Sequence, residues 1–282
     1  MFDAVSNTDE VLRRRSVPPP NRAPAARSLL LTVLGEYVLG EGAPVWNATL
    51  LRALGELGVL EKTARQAITR SAADGWLRRE PVGRSVRWHL TLSTTRLLTE
   101  GAQRIYSFSS VAEEWDGRWL LVRVSVPERV REQRHVARSR LAWEGFGTLG
   151  QGWWISPHVD RRPDLDTVAG EGAPSLMTLV VQPGSGGDEQ ALVDEAWGDR
   201  RELQRDYTRF INWAAGRRPT TAAEVFVAQT LLVHHWRKFP IIDPGLPRHL
   251  LPDPWIGLEA AEVFADRHTE WTDDARDWFQ AA

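Results

Sequence analysis

Lys62, Arg65, Gln66, Thr69 and Arg70, with Thr63 beside them, recur three and four residues apart within "LEKTARQAITRSAADGW". Residues at that spacing share one face of a helix, so the stretch predicts a helix from Glu61 to Asp74 with a polar, basic side. Ala64, Ala67, Ile68, Ser71 and Ala72 fall on the opposite stripe, where small side chains let a helix sit close to its neighbours. Arg can donate two hydrogen bonds to guanine O6 and N7, and Gln can pair with adenine N6 and N7. The chemistry implied is recognition by hydrogen bonding, with Arg65, Gln66 and Thr69 nearest the base edges.

A second cluster follows at once. The runs "WLRREPV" and "VRWHLT" are joined by Gly83-Arg84-Ser85, and Val86, Trp88 and Leu90 alternate with Arg87 and His89. That alternation predicts a hairpin with one apolar and one basic face. Arg78, Arg79, Arg84 and Arg87 crowd this short segment. Arg84, Ser85 and Arg87 are the expected phosphate contacts.

The elements that must hold these residues lie just upstream. "RSLLLTVLGEYVLG" reads as a dense apolar helix ending near Gly40-Glu41-Gly42, and Asn47 is the expected N-cap of a second helix, "ATLLRALGEL", stopped by Gly58. Three helices followed by a basic hairpin predict a winged helix-turn-helix, whose third helix enters the major groove. Winged helices also meet proteins, so an interaction adaptor is a competing reading.

Charge agrees with the nucleic-acid reading. The net charge of -2 hides an asymmetry: Arg22 to Ser110 carries 12 Lys+Arg against 7 Asp+Glu, while Val111 to Ala282 carries 20 against 27. The first 26 residues, with Arg13-Arg14-Arg15 and Pro18-Pro19-Pro20, are expected to be a mobile tail.

Catalytic and metal chemistry find little support. "VQPGSGGDE" lacks the Gly-Lys-Ser/Thr end of a P-loop. His234 and His235 are adjacent, so on a helix they point about 100° apart and do not form an i, i+4 ligand pair. A meeting of His235 with Asp243 or His249 would need the intervening loop. Ser125 and Ser156 have no adjacent base, and Glu113, Glu114 and Asp116 read as a solvated hinge. With no cysteine there is no disulfide and no thiol nucleophile. No catalytic residue, metal or cofactor is expected. The 14 tryptophans are read mainly as packing, with Trp153-Trp154 as the pair that could line an aromatic pocket.

At 282 residues and 42% hydrophobic content the chain should form two or three domains. "WDGRWLLVRVSVPE" predicts a strand with Leu120, Val122, Val124 and Val126 on one side, and Glu128 to Trp143 a charged helix. "GWWISPHV" and "SLMTLVVQP" predict further strands, and a helix should start near Asp188. This order suggests a ferredoxin-like α/β unit. Glu189 to Ala215 and Thr220 to Phe239 read as helices, followed by a proline-rich link anchored by Ile241, Leu246, Leu250 and Trp255, and a last helix through Trp278. No apolar run approaches the roughly 20 residues of a membrane span, and the start lacks a signal-peptide core, so a cytoplasmic location is expected.

"SLLLTVLGEYVL", "TARQAITRSAADGWLRREPVGRSVRWHLT", "RIYSF", "WDGRW", "RSRLAWEGFGTLGQGWWISPH" and "LLVHHWRKFPIIDPGLPRHLLPDPW", in this order, resemble the PaaX family of transcriptional repressors. The resemblance runs from about Ser28 to the last helix. It implies an α+β chain with an N-terminal winged helix-turn-helix (27–110), a ferredoxin-like middle domain similar to a small CRISPR-associated nuclease fold (111–187) and a helical C-terminal domain (188–282). It further implies a homodimer on double-stranded operator DNA that represses aromatic-acid catabolism, phenylacetate catabolism above all. Release by an acyl-CoA thioester such as phenylacetyl-CoA belongs to the same picture. By resemblance, Arg237 and Lys238 would meet CoA phosphates, and His235, Trp153 and Trp154 complete the expected effector site. The chain departs from the family pattern at Leu60, where relatives carry a small polar residue, and at Val86-Arg87-Trp88, where tyrosine is common. A nucleic-acid-processing enzyme built on the middle domain is the remaining alternative.

Overall fold

The computed structural model describes residues 25–108, 115–125, 137–138, 140–142, 144–161, 175–184, 188–198 and 200–281. Residues 1–24 of the expected N-terminal tail, most of the helix expected from Glu128 to Trp143, and Glu113, Glu114 and Val126 lie outside them, whereas Ala26, the last residue expected in the tail, begins the first helix.

The dense apolar segment near the start forms α1, Ala26–Val33, which widens into a π-helical turn over Leu34–Val38. Strand β1, Val45–Trp46, leads directly into α2, Asn47–Glu56, and α3 spans Glu61–Ala73. The hairpin consists of β2, Leu77–Val82, and β3, Ser85–Leu90, and α4, Leu92–Tyr106, follows it. β1 pairs antiparallel with β3, giving a sheet of order β1-β3-β2. Asn47 does not cap α2. The preceding Trp46 holds the cap position without a side-chain bond, and Asn47 Oδ1 accepts the indole N–H of Trp88 at 3.1 Å instead. That bond gives the buried Trp88 its polar partner and ties the hairpin to the start of α2.

A second antiparallel sheet is built from β4, Trp119–Ser125, β5, Gly147–Gly150, β6, Trp153–Ser156, and β7, Ser175–Val181, in the order β5-β6-β4-β7. Successive residues of β4 face opposite ways. Trp119 packs with Ile155, Val193 and Ala196 on one face, while Leu120 and Val122 pack with Leu141, Phe146 and Trp154 on the other. Helix α5, Glu189–Trp197, covers the first face, its N-terminus capped by Asp188, whose carboxylate accepts from the Ala191 N–H at 2.9 Å.

The remaining helices are α6, Arg200–Ala215, α7, Ala222–Trp236, the short α8, Phe239–Ile242, and α9, Gly257–Gln280. Thr221 and Glu224 close a reciprocal capping box at the start of α7. The proline-rich link is ordered by its apolar anchors, as expected. Leu246 and Leu250 join the core under the second sheet, Trp255 joins that of the helices, and Ile241 is half-buried.

One apolar core runs without a break from Leu30, Leu34, Leu54, Ile68 and Trp88 into Tyr207, Phe226, Leu232, Trp236, Phe264 and Trp278. No periodicity within either segment announces this continuity between the first and last thirds of the chain. No described helix is long and apolar enough to cross a membrane.

Candidate nucleic-acid interface

The small-residue stripe of α3 faces inward: Ala64, Ala67, Ile68 and Ser71 are buried, whereas Lys62, Thr63, Arg65, Gln66, Thr69 and Arg70 are exposed. Both helix ends that frame this element are fixed by backbone geometry. Gly58 (φ 79) closes α2 and Gly75 (φ 78) closes α3, conformations that disfavour a residue with a Cβ. After each glycine the chain bonds back into the helix, Val59 N–H to the Leu54 carbonyl at 2.9 Å and Trp76 N–H to the Ser71 carbonyl at 2.8 Å. Arg27 of α1 then holds the end of α3 through Asp74 at 2.5 Å while its guanidinium lies over Trp76.

Two of the expected base contacts are already engaged. Arg65 donates through Nε and Nη2 to Glu61 Oε1, at 2.9 and 2.6 Å, and the Thr69 hydroxyl donates to the Arg65 carbonyl at 2.9 Å. Thr69 therefore offers a base mainly an acceptor. The Glu61–Arg65 pair is exposed and follows from a spacing of four on a helix, a signal present in the sequence.

The hairpin register matches Val82 with Ser85, so Gly83 and Arg84 form a two-residue turn, tighter than the three residues expected. Gly83 takes φ 57 at the first central position, where glycine is favoured. Arg84 and Ser85 project at the tip, both exposed. Strand alternation separates the remaining arginines: Arg78 shares a face with Arg87 and His89, whereas Arg79 lies opposite Trp88 on the other. The basic face also carries an acid. Glu80 stands directly across from Arg87, accepts from Arg87 Nη2 at 3.0 Å and lies 2.6 Å from His89 Nε2. The hydrogen bonds from His89 and then Arg87 hold its carboxyl below the usual range. Arg87 also lies over the exposed ring of Trp46, at 5.2 Å, so its guanidinium is held between Glu80 and β1 rather than extended toward solvent.

The residues expected to form an effector site occupy separate places. Trp154 is buried in the core with Leu120, Val122 and Leu141, whereas Trp153 turns the other way, beneath Arg123. Arg237 ends α7 and donates to the hydroxyl and carbonyl oxygens of Ser28, at 2.6 and 3.2 Å, fastening α7 to α1. Its burial pulls its pKa down to about 10. Lys238, lowered to about 8 by burial, lies 3.8 Å from the buried Asp206 and over the Phe239 ring. His235 packs edge-on against Trp213, and burial lowers it to about 4. Its neighbour His234 pairs with the Thr32 hydroxyl at 3.0 Å and is pushed well below the ordinary range, again by burial. Among the described residues, no group of three or more His, Cys, Asp or Glu could hold a metal ion.

Residues 25–94 match the family described as PaaX-like protein, residues 112–193 the PaaX protein central Cas2-like domain, and residues 194–281 the PaaX-like protein C-terminal domain. A curated relative, the transcriptional repressor PaaX of Escherichia coli (strain K12), is 28% identical over 250 residues, covering 84% of this chain and 77% of that protein. Among solved structures, the uncharacterized protein Rv0674 from Mycobacterium tuberculosis superimposes with a TM-score of 0.57 at 22% identity, covering 92% of this chain and all of the other, a likeness of fold.

Proposed function

The chain belongs to the PaaX family, and from that premise we propose that it is a DNA-binding transcriptional repressor rather than an enzyme. The observation that carries this reading is the exposed polar face of α3 beside a hairpin with Arg84 at its tip. In this reading α1 to α3 and the hairpin form the winged helix-turn-helix of a 27–110 domain, the second sheet from 111 on forms a ferredoxin-like domain that takes in α5 and so extends past the expected boundary at 187, and the helices from α6 onward form a helical domain. Lys62, Thr63, Arg65, Gln66, Thr69 and Arg70 lie along the major groove, and Arg84, Ser85 and Arg87 along the phosphates. A homodimer would set two such helices into successive grooves of a pseudo-palindrome.

The genes repressed are those of aromatic-acid catabolism, and an aromatic acyl-CoA thioester such as phenylacetyl-CoA releases the protein in the cytoplasm. Release requires the thioester to bind the DNA-free state more tightly than the DNA-bound one. Trp154 is packed in the core and Arg237 is engaged with Ser28, so the thioester is held by other side chains.

The test is binding of the full chain to DNA from its own promoter region at fixed salt, with and without aromatic acyl-CoA thioesters. Specific binding abolished by one thioester is expected. Replacing Arg65 by Ala should cost about 1–3 kcal/mol and relax one base position, whereas Arg87→Ala should weaken all sequences alike. Equal, sequence-independent losses would refute that division, and absence of DNA binding at low salt would favour a protein-binding adaptor.

A further inference from the structure

Leu60 occupies the N-cap of α3, and nothing in its surroundings accounts for a leucine there. An N-cap side chain ordinarily accepts from an N–H of the first helical turn, and leucine, with no acceptor, is among the poorest residues for the position. The α3 N-terminus accordingly has no side-chain cap. Leucine would be explained if it packed, but Leu60 is 77% exposed. The contrast with Leu92 is instructive. Leu92, 81% exposed, follows a proper cap, since the Thr91 hydroxyl accepts from the Thr94 N–H. Trp46, also exposed, is covered by the Arg87 guanidinium. At Leu60 a local rule is broken with no local gain, which is the pattern expected of a functional position.

The neighbours of Leu60 define what it would meet. Glu61 and Arg65 neutralise each other on the adjoining turn, so the leading edge of α3 presents an apolar side chain next to a closed ion pair. The apolar group that a base pair exposes in the major groove is the thymine 5-methyl, and the N-terminal residues of a recognition helix are those that approach base edges. We infer that Leu60 reads a thymine methyl in the operator, a specificity contact that rests on the DNA-binding reading of α3.

Uracil keeps thymine's hydrogen-bonding groups and lacks only the methyl, so it isolates this contact. DNA selected by the full chain from a random-sequence pool is rebuilt with deoxyuridine at one thymine at a time, and binding is measured for the wild type, Leu60→Ser and Leu60→Met. The wild type and Leu60→Met should lose about fourfold in affinity at one thymine per half-site, the factor that burial of one methyl group supplies. Leu60→Ser should bind thymine and uracil equally there, while its melting temperature stays at or above that of the wild type because serine restores the cap. Insensitivity of the wild type at every position overturns the inference, as does an unchanged methyl preference in Leu60→Ser. Failure to select any DNA would instead remove the DNA-binding reading and this contact with it.

Discussion

Glu80 accepts from Arg87 and contacts His89, so the acid offsets cations on the same face of the hairpin. Replacing it by Gln removes that negative charge and should tighten binding to every DNA sequence, each phosphate contact so gained steepening the log–log salt dependence by about 0.9. An unchanged slope would mean that this face points away from DNA. Asp243 poses a different residue-scale question. It is buried, accepts the Tyr207 hydroxyl at 2.5 Å and the Gly245 N–H at 2.8 Å, and burial, outweighing both bonds, pushes it up to about 7 from 3.8. Between those values the folded chain keeps a proton that the unfolded chain has released, so this group's contribution to stability is lost as pH rises through the window, and above about 7 the slope vanishes. Asn at this position can accept from Gly245 and donate to the Tyr207 oxygen without ionising. The stability of Asp243→Asn relative to the wild type should rise by at most about 1.4 kcal/mol per pH unit across that window and level off above it. Denaturant titrations at several pH values measure the difference directly, which separates it from His234 and His235, whose lowered values act in the opposite direction. A flat difference would mean that Asp243 titrates normally.

At the scale of elements, close approach between α5 and the second sheet depends on Gly147. A Cβ there would stand 2.6 Å from the Trp197 ring and 2.7 Å from the Ala196 methyl. Both belong to α5, and the indole N–H of Trp197 donates to the Gly145 carbonyl at 3.1 Å, so neither can withdraw cheaply. Gly147→Ala should cost about 1–3 kcal/mol, the usual range for overpacking, read as a lower denaturation midpoint with α3 and the hairpin unaltered. The same strand illustrates what the sequence could reveal. α3, the hairpin and β4 follow from periodicity because each keeps a continuous apolar stripe, and the exposed face of α3 is legible for the same reason, whereas α7 is buried nearly all round and shows in the sequence as a long apolar run. β5, "GTLG", has no such stripe and exists because Gly147 admits α5 while its backbone pairs with β6. β1 has two residues, too few for any period, and owes its extended form to β3. Local preference makes Asn47 a cap, yet a distant indole, Trp88, claims its oxygen. Within the site, the Glu61–Arg65 pair could have been read from spacing. The Glu80–Arg87 pair required the hairpin register, and the burial of Arg237 required knowing that α7 lies against α1.

For the whole molecule, that last contact has consequences, because α1 packs on α2 and α3 and also on α7, so it is shared between the candidate interface and the C-terminal helices. The seam is polar as well as apolar. Glu36, on the π-helical turn of α1, accepts from Tyr106 of α4, from Gln229 of α7 at 2.9 Å and from His268 of α9 at 3.0 Å. Burial would raise its carboxyl, but these bonds outweigh that and hold it below the usual value, so its contribution to stability is present above about 4.5 and lost as pH falls through its lowered value. Next to it Tyr37 bonds to Thr230 at 3.0 Å and meets Phe226 and Phe279 at 5.2 and 5.0 Å between ring centres. Any change that displaces α7 must therefore be felt in α1, and through Arg27 and Asp74 at the end of α3. Phe226→Ala tests this. Removing the fully buried ring should cost about 3–5 kcal/mol, and if the core acts as one cooperative unit, amide exchange should quicken in Leu29–Tyr37 of α1 as much as in α7 itself. Loss of protection in α7 and α9 with α1 unchanged would show the two thirds to be energetically independent. Equal loss would show that the first and last thirds open as one unit, the coupling through which a ligand that favours one arrangement of the C-terminal helices would reach α3 without touching a DNA-facing side chain.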